Sequence, residues 1–244
     1  MFPLKDNNPT RIRPYVTLLF VAANILVFVY ELMLGDRLDN FVAAWGAIPF
    51  EITHGEDLTG PSELGFNHQP GPSFLPLTLI SSMFMHGSVM HIFGNMLYLW
   101  IFGNNVEDLL GHVKYFIFYI VCGVIAGLSH VLFNPSSTVP TVGASGAVAG
   151  VLGAYLVTFP HARITTLIFF GFFIRMMQVP ASFLLLVWFI MQSLQGFLSL
   201  GISEMSGGVA WFAHVGGFVA GAILAFVMGG RAMREMRMRS RDYG

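Results

Sequence analysis

Residues 209–228 read VAWFAHVGGFVAGAILAFVM, a run of twenty residues with one ionisable side chain, His214. An apolar run of this length is sufficient for a helix to cross the hydrocarbon core of a bilayer. Gly217 and Gly221 are four positions apart and therefore share one face of that helix. Because such a G-x-x-x-G face lets a second helix approach closely, the stretch predicts a membrane-spanning helix packed tightly against a neighbour.

A second apolar run, residues 143–159, carries a matching face of small residues. Its glycines recur at three- and four-residue spacing: Gly146, Gly150 and Gly153. This spacing places them on one side of a helix. We therefore expect the two helices to pack backbone to backbone.

Composition extends this prediction to the whole chain. Charged residues make up 10% of the 244 residues and hydrophobic residues 55%, whereas a typical soluble domain has about 25% charged residues. The apolar runs predict a single all-α membrane domain of six transmembrane helices. The predicted spans are Tyr15–Leu34, Leu79–Gly103, Val113–Phe133, Gly143–Phe159, Ala181–Leu200 and Val209–Met228. The net charge of −1 gives no indication of a nucleic-acid partner.

Two stretches between the spans are expected to lie at the membrane surface. The loop Gly35–Pro76 is acidic, yet its segment Phe41–Phe50 is apolar, which favours structure within the interface over a free tether. The segment Ile164–Met177 is apolar but contains Arg175 and is too short for a full span, so we expect a surface hairpin or a half-inserted piece. Cys122 is the single cysteine, which excludes an internal disulfide.

The basic residues orient the predicted bundle. With six spans both termini lie on the same side, and every lysine and arginine except Arg37 falls on that side. The positive-inside rule then predicts that both termini are cytoplasmic, and the short terminal segments favour a prokaryotic inner membrane. The chain is expected to divide into a cytoplasmic N-terminal segment (1–14), a membrane domain (15–230) and a basic cytoplasmic tail (231–244).

The sequence G-A-S-G at Gly143–Gly146 places Ser145 at the start of the fourth span. Polar side chains in spans are costly and usually mark function. Gly143 permits a non-helical turn, Gly146 leaves space beside the hydroxyl, and a helix N-terminus offers free N–H groups to a developing negative charge. Alone the motif is a weak signal, because a serine here also suits a packing residue or an N-cap.

His214 is the candidate base for Ser145. Close packing of the two glycine faces would bring the imidazole within hydrogen-bond reach of the hydroxyl, and serine becomes a good nucleophile when a base takes its proton. No Asp or Glu is evidently placed as a third member, so the pattern predicts a Ser–His dyad. The alternative for His214 is a structural histidine that bonds a backbone carbonyl.

His86, His91 and Asn95 form a further polar set in the second span. His91 and Asn95 share a helix face, with His86 a little over one turn nearer the outer end. Such side chains can stabilise the oxyanion of acyl transfer together with a backbone N–H, here that of Ser145. They can equally connect helices by hydrogen bonds. The zinc-protease pattern H-E-x-x-H does not occur, and no metal site is predicted.

Taken together, these motifs resemble those of the rhomboid intramembrane proteases. The similarity extends over roughly residues 74–228. Its motifs are H-x-x-x-x-H-x-x-x-N at 86–95, G-x-S-G at 143–146 and A-H-x-x-G-x-x-x-G at 213–221. The sequence V-E-x-x-L-G at 106–111 is also similar to the family.

The resemblance implies a six-helix rhomboid bundle that cleaves membrane proteins. Ser145 would be the nucleophile, His214 the general base, and His91 and Asn95 the oxyanion donors, with His86 helping to hold a polar, water-filled pocket near the outer face. The implied substrates are single-span membrane proteins, cut within the lipid bilayer near the outer end of their helix. The resemblance implies neither a metal nor a cofactor.

Two departures from the family pattern concern the surroundings of these residues. Many members carry Trp-Arg shortly before the first histidine, where this chain has Leu77-Thr78. Many also place an aromatic residue four positions after the nucleophile, to stack on the base, and here that position is Ala149. Phe218 and Trp211 are the candidates to supply that aromatic packing.

Two other functions stay open at this point. A rhomboid-like protein that binds membrane clients without cutting them typically lacks the serine or the histidine, and both are present in this chain. A small transporter would be expected to show paired intramembrane acids or broken helices in corresponding halves. Neither is evident in the sequence.

Overall fold

In a computed structural model of the chain, residues 2–62, 67–170, 173–199 and 210–242 are described. The helices are α1 (Tyr15–Leu34), α2 (Leu38–Trp45), α3 (Pro49–His54), α4 (Thr78–Ser81), α5 (Val89–Leu110), α6 (His112–Phe133), α7 (Ser145–Thr158), α8 (Ala181–Ser199) and α9 (Trp211–Asp242). The strands are β1 (Phe2–Asp6), β2 (Gly60–Pro61), β3 (Asn67–His68), β4 (Arg163–Phe170) and β5 (Phe173–Pro180). Short 3₁₀ segments are Gly35–Arg37, Leu75–Leu77 and Ser82–Phe84.

The helices that match the predicted spans form the bundle. In the described part of the chain four segments are long and apolar enough to cross a membrane: Tyr15–Trp45, which joins α1 to α2, then α6, α8 and residues 211–230 of α9. A fifth is α5 together with the segment Leu75–Phe84 that precedes it, if this bent pair is counted as one span. The bounds predicted for α1 are confirmed. The C-terminal tail continues α9 as helix beyond a break at Gly230. Leu200 and Val209, predicted to bound the last two spans, lie outside the described residues.

The predicted second span, Leu79–Gly103, is wrong at both ends. The segment Leu75–Phe84 meets α5 at an angle of 83°, and α5 then continues to Leu110. The bend occurs at Ser88, whose backbone is extended and whose Oγ accepts the His91 N–H at 3.2 Å, which caps a new helix. Apolar composition alone did not reveal this restart. His86 therefore precedes the helix and does not lie one turn along it.

The architecture also includes a small sheet beside the helices of the predicted bundle. The hairpin expected at Ile164–Met177 is confirmed as the antiparallel pair β4–β5, where β-branched and aromatic residues favour strands. The N-terminal strand β1 adds antiparallel to β4, which gives the order β1-β4-β5. Pairing between segments about 160 residues apart is not encoded in a local pattern.

The helix α7 lies at the centre of the bundle and is almost entirely buried. Its glycine face meets that of α9 as predicted. A Cβ added to Gly217 would overlap the carbonyl oxygen of Gly146, and one added to Gly221 would overlap that of Gly150. Small residues on both helices therefore allow direct backbone contact.

The surface loop is tied to the segment that precedes α7. The apolar stretch predicted within it forms α2 and the start of α3. Between these helices Ala47 pairs with Thr141, through N–H···O bonds of 3.0 Å and 2.9 Å in opposite directions. This pairing fixes the chain that leads to Ser145.

Buried carboxylates hold the end of the bundle that contains the sheet. Glu107 accepts hydrogen bonds from the backbone N–H of Val16 (2.9 Å) and Thr17 (2.8 Å), from the Thr17 hydroxyl (2.7 Å) and from His112 Nδ1 (2.6 Å). It therefore caps the N-terminus of α1, whose first N–H groups have no partner within the helix.

Asp6 and Asp108 join the N-terminal segment to the same end. The Asp6 carboxylate accepts from Asn105 Nδ2 at 2.6 Å and from the Tyr155 hydroxyl at 2.9 Å. Burial raises the pKa of Asp6 to about 6, although these hydrogen bonds oppose the shift. Asp108 forms an ion pair with Arg11 at 3.2 Å.

Candidate active site

The predicted site residues meet at the end of the bundle where α7 begins. A cavity of about 950 Å³ lies there, and its lining includes Ser145, His214, His91 and Asn95. Ser145 Oγ and His214 Nε2 are 2.8 Å apart. At this distance the imidazole can accept the hydroxyl proton.

The backbone before Ser145 has the non-helical turn expected of glycine. Gly143 has φ of +137°, a conformation that other residues rarely adopt, and its N–H donates to the Ser82 carbonyl at 2.8 Å. A side chain at this position would also collide with the His91 ring, since a Cβ would lie 2.7 Å from His91 Cε1. Gly143 thus allows α7 to start directly at Ser145.

The helix α7, which begins at Ser145, is shorter than α5, α6 and α9. The helix has 14 residues, about 21 Å at 1.5 Å per residue, which is shorter than the roughly 30 Å hydrocarbon core of a bilayer. The neighbouring α6 has 22 residues. Because α7 is shorter than a full span, it cannot by itself reach both surfaces of the membrane.

Two tryptophans pack around the His214 ring. Trp188 of α8 and Trp211 of α9 have ring centroids 6.0 Å and 6.1 Å from that of His214. Phe218 packs against Trp188 at 6.0 Å. The aromatic packing absent at Ala149 is therefore supplied by Trp211, one of the two residues predicted, and by Trp188, which the sequence reasoning missed.

His214 has a second hydrogen-bond partner that the sequence reasoning missed. Its Nδ1 lies 2.5 Å from Oε1 of Gln192 on α8. The signal was present in the sequence, because Gln192 is a polar residue inside the fifth apolar run, where polar side chains usually mark function. The sequence analysis predicted a Ser–His dyad because it considered only Asp and Glu as a third residue bonded to the histidine.

Asn95 and His91 line the cavity from α5. Asn95 is buried, and its Nδ2 has no hydrogen-bond acceptor among the described residues. An uncompensated buried donor is unfavourable for stability, which is consistent with a ligand in the cavity. The first N–H groups of α7, including that of Ser145, lie nearby and have no partner within the helix itself.

His86 packs beside these residues from the turn before α5. Its ring centroid is 5.1 Å from that of His91, and neither ring nitrogen has a partner within the described structure. Its backbone N–H donates to the carboxylate of Glu31, at 3.1 Å and 3.3 Å to the two oxygens. Glu31 is a buried acid in the first span that the sequence reasoning also missed.

Among the further polar residues of the cavity lining are His130 of α6 and Asn134, which directly follows that helix. Asn134 Nδ2 lies 3.3 Å from His130 Nδ1. Among the described residues, no three His, Cys, Asp or Glu side chains are placed to share a metal ion. Leu77 and Thr78, where many rhomboids have Trp-Arg, belong to the short helical lead-in, with the Thr78 hydroxyl bonded to the Leu75 carbonyl at 2.6 Å.

Comparison with known families matches residues 76–231 to the Rhomboid domain. The chain belongs to the rhomboid family. The matched range includes Ser145, His214, His91 and Asn95, and membership implies the six-helix rhomboid fold predicted from the apolar runs, in which α7 is a short helix. The protein is a multi-pass integral membrane protein of a family that includes serine proteases.

Named relatives agree with this assignment. RHOMBOID-like protein 4 of Arabidopsis thaliana is 30% identical over 226 residues, 88% of this chain and 52% of the relative. Rhomboid protein 1, mitochondrial, of Saccharomyces cerevisiae is 28% identical over 167 residues, 67% of this chain and 44% of the relative. Rhomboid protease GluP of Bacillus subtilis is 29% identical over 146 residues, 59% of this chain and 24% of the relative. The chain spans about half or less of the length of these relatives.

Proposed function

We propose that this rhomboid is an intramembrane serine endopeptidase, with Ser145 as nucleophile and His214 as general base. The observation that carries the proposal is the 2.8 Å contact between Ser145 Oγ and His214 Nε2 inside a polar cavity of a membrane bundle. A serine hydroxyl that bonds an imidazole in this way is the arrangement required for nucleophilic catalysis.

The first half-reaction follows the serine-protease scheme. Ser145 Oγ attacks the carbonyl carbon of the scissile bond while His214 Nε2 takes its proton. The tetrahedral oxyanion is stabilised by Asn95 Nδ2, the His91 ring and the Ser145 N–H. His214 then gives the proton to the leaving nitrogen, and the C–N bond breaks to leave an acyl ester on Ser145.

Water completes the cycle by attacking the ester while His214 again takes a proton. The reaction therefore needs water below the membrane surface, and the polar lining of the cavity supports this access. Part of that lining is His86, which we assign to holding the polar pocket.

The proposed substrates are single-span membrane proteins. A transmembrane helix bonds its carbonyls internally, so the segment to be cut must unwind before a carbonyl can reach Ser145. No cofactor or metal enters the proposed steps.

The orientation follows from charge. We propose that both termini are cytoplasmic, with 1–14 and 231–244 flanking the membrane domain 15–230. The concentration of lysine and arginine on that side supports this orientation. The catalytic cavity would then open toward the opposite face.

The decisive test is cleavage of a model single-span substrate in liposomes, with fluorophosphonate labelling in parallel. Wild type should cleave and label, and Ser145→Ala should lose both without a change in Tm, since it removes one small hydroxyl. His214→Ala should lose nearly all cleavage. Folded wild type that neither labels nor cleaves would favour a client-binding rhomboid without protease activity.

A further inference from the structure

We infer that Gln192 is a positioning residue for His214, so that a third side chain orients the base of the Ser–His dyad. This inference rests on the proposed protease function. Gln192 Oε1 lies 2.5 Å from His214 Nδ1, on the side of the ring opposite the Ser145 contact at Nε2. The two contacts together engage both ring nitrogens.

The geometry determines which nitrogen carries the proton. An amide oxygen can only accept a hydrogen bond, so a neutral His214 facing Gln192 Oε1 must be protonated at Nδ1. Its Nε2 then presents a lone pair to the Ser145 hydroxyl. This is the tautomer that a general base requires, and in serine proteases the third residue holds it in the same way.

A neutral partner suits the location of the ring. His214 is 8% exposed and belongs to a membrane span, where an ionised carboxylate would be strongly disfavoured unless compensated. Glutamine supplies an acceptor without a permanent charge. When His214 takes the serine proton, the same hydrogen bond becomes charge-assisted and stabilises the imidazolium.

Because Gln192 lies on α8, the orientation of His214 depends on the packing of that helix. Ser145 belongs to α7 and His214 to α9, which contact each other backbone to backbone. Gln192 contacts His214 from a third helix, so this hydrogen bond forms only when α8 packs against α9. Trp188, one turn earlier on α8, packs on the same ring.

The variant that tests the role is Gln192→Met, which keeps an unbranched side chain but removes the oxygen acceptor. It should lower kcat about 10- to 100-fold, the usual effect of losing an orienting partner. KM should be unchanged, because Gln192 acts on His214 and not on substrate. The matched control is Gln195→Met, the same substitution three positions along α8 at a residue outside the cavity lining in the described structure.

Two readouts separate positioning from simple packing. The acidic limb of the kcat/KM profile should move to lower pH in Gln192→Met, because the imidazolium loses a stabilising acceptor. In Gln192→Glu, which retains an oxygen acceptor, the limb should move to higher pH by about one unit and activity should partly recover. His91 and His130 are the ionisable groups that act electrostatically on His214, and both are unchanged in these variants.

The second readout is the tautomer itself, measured by ¹⁵N NMR of histidine-labelled protein in liposomes, with His214 assigned by its loss in His214→Ala. Wild type should show His214 protonated at Nδ1, and Gln192→Met a mixture of tautomers. Identical tautomer populations in the two proteins would overturn the inference, as would equal kcat values. The inference would also be overturned if Gln192→Met lost kcat and Tm while the acidic limb of the kcat/KM profile and the His214 tautomer stayed unchanged.

The kinetic and NMR measurements also distinguish a failure of this inference from a failure of the proposed function. If wild type does not cleave, the protease proposal fails, while the tautomer comparison still decides the role of Gln192. If Gln192→Met does not fold, Gln192→Glu carries the test, and an unmoved acidic limb in that variant contradicts the inference.

Discussion

The carboxylates at the sheet end of the bundle and the side chains of the cavity are satisfied differently, although Asn8 Nδ2 and Asn105 Oδ1 at the sheet end also have no partner in the described structure. At the sheet end, Glu107 accepts four hydrogen bonds and Asp6 accepts two. At the cavity end, Asn95 Nδ2 and both ring nitrogens of His86 have no partner in the described structure.

This difference separates stability from function. Fully bonded buried groups hold helices and strands in place, whereas unpaired donors reduce stability unless a ligand binds them. Substitutions at the sheet end should therefore change the free energy of unfolding, and substitutions at the cavity end should change the rate.

Glu107→Leu should give the largest loss of stability. It removes the cap of α1 and deprives four donors of their acceptor, which costs roughly 3–5 kcal/mol for a broken buried charge network. Thermal unfolding in detergent measures the loss, and fluorophosphonate labelling of the fraction that stays folded should be near the wild-type rate.

The matched variant is Glu107→Gln, which keeps one acceptor oxygen. Its Tm should lie between those of wild type and Glu107→Leu. Equal Tm values for wild type and Glu107→Leu would remove the distinction between the two ends, as would a selective loss of labelling in folded Glu107→Leu.

Asp6 should make stability depend on pH. Its pKa is raised to about 6 by burial, from an ordinary value of 3.8, so between these pH values the unfolded chain releases a proton that the folded chain keeps. The free energy of unfolding should therefore fall as pH rises through this window, by up to about 3 kcal/mol.

Asp6→Asn should remove this part of the pH dependence of stability. The difference in Tm between the variant and wild type should therefore favour the variant more at pH 7 than at pH 4. Tm values from pH 4 to 7 measure the effect. Asp36→Asn, at an exposed aspartate, is the control and should leave the slope unchanged. A wild-type slope retained in Asp6→Asn would assign the pH dependence to other groups.

Asn95→Ala should affect the rate alone. Loss of one oxyanion donor typically lowers kcat about 100-fold, equivalent to about 2.7 kcal/mol in the transition state, which is less than the loss in Ser145→Ala. Tm should be unchanged or slightly higher, because Asn95 Nδ2 has no partner in the described protein and an unpaired buried donor reduces stability.

The control for Asn95 is Asn24→Ala on α1, whose Nδ2 already donates to the Phe20 carbonyl at 2.7 Å. It should lower Tm and leave kcat unchanged. If Asn95→Ala loses as much activity as Ser145→Ala, the proposed division between nucleophile and oxyanion donor is wrong.

Several features were decided by the sequence itself. Apolar length specified the helices, and the bounds of α1 were predicted to the residue, because a span must bury its backbone bonds within one continuous apolar segment. The glycine spacing of Gly146, Gly150, Gly217 and Gly221 predicted the contact between α7 and α9, since only residues without side chains permit it. The motif order pointed to the rhomboid family before any comparison.

Other features were decided only by tertiary structure. The restart of α5 at Ser88 depends on one capping hydrogen bond, which hydropathy does not report. The addition of β1 to the hairpin and the attachment of Asp6 to Tyr155 join residues 149 to 165 positions apart. The pairing of Gln192 with His214 likewise requires α8 and α9 to be placed side by side. A sequence specifies which groups are polar and on which face of an element they lie, but partners from different elements are chosen by packing.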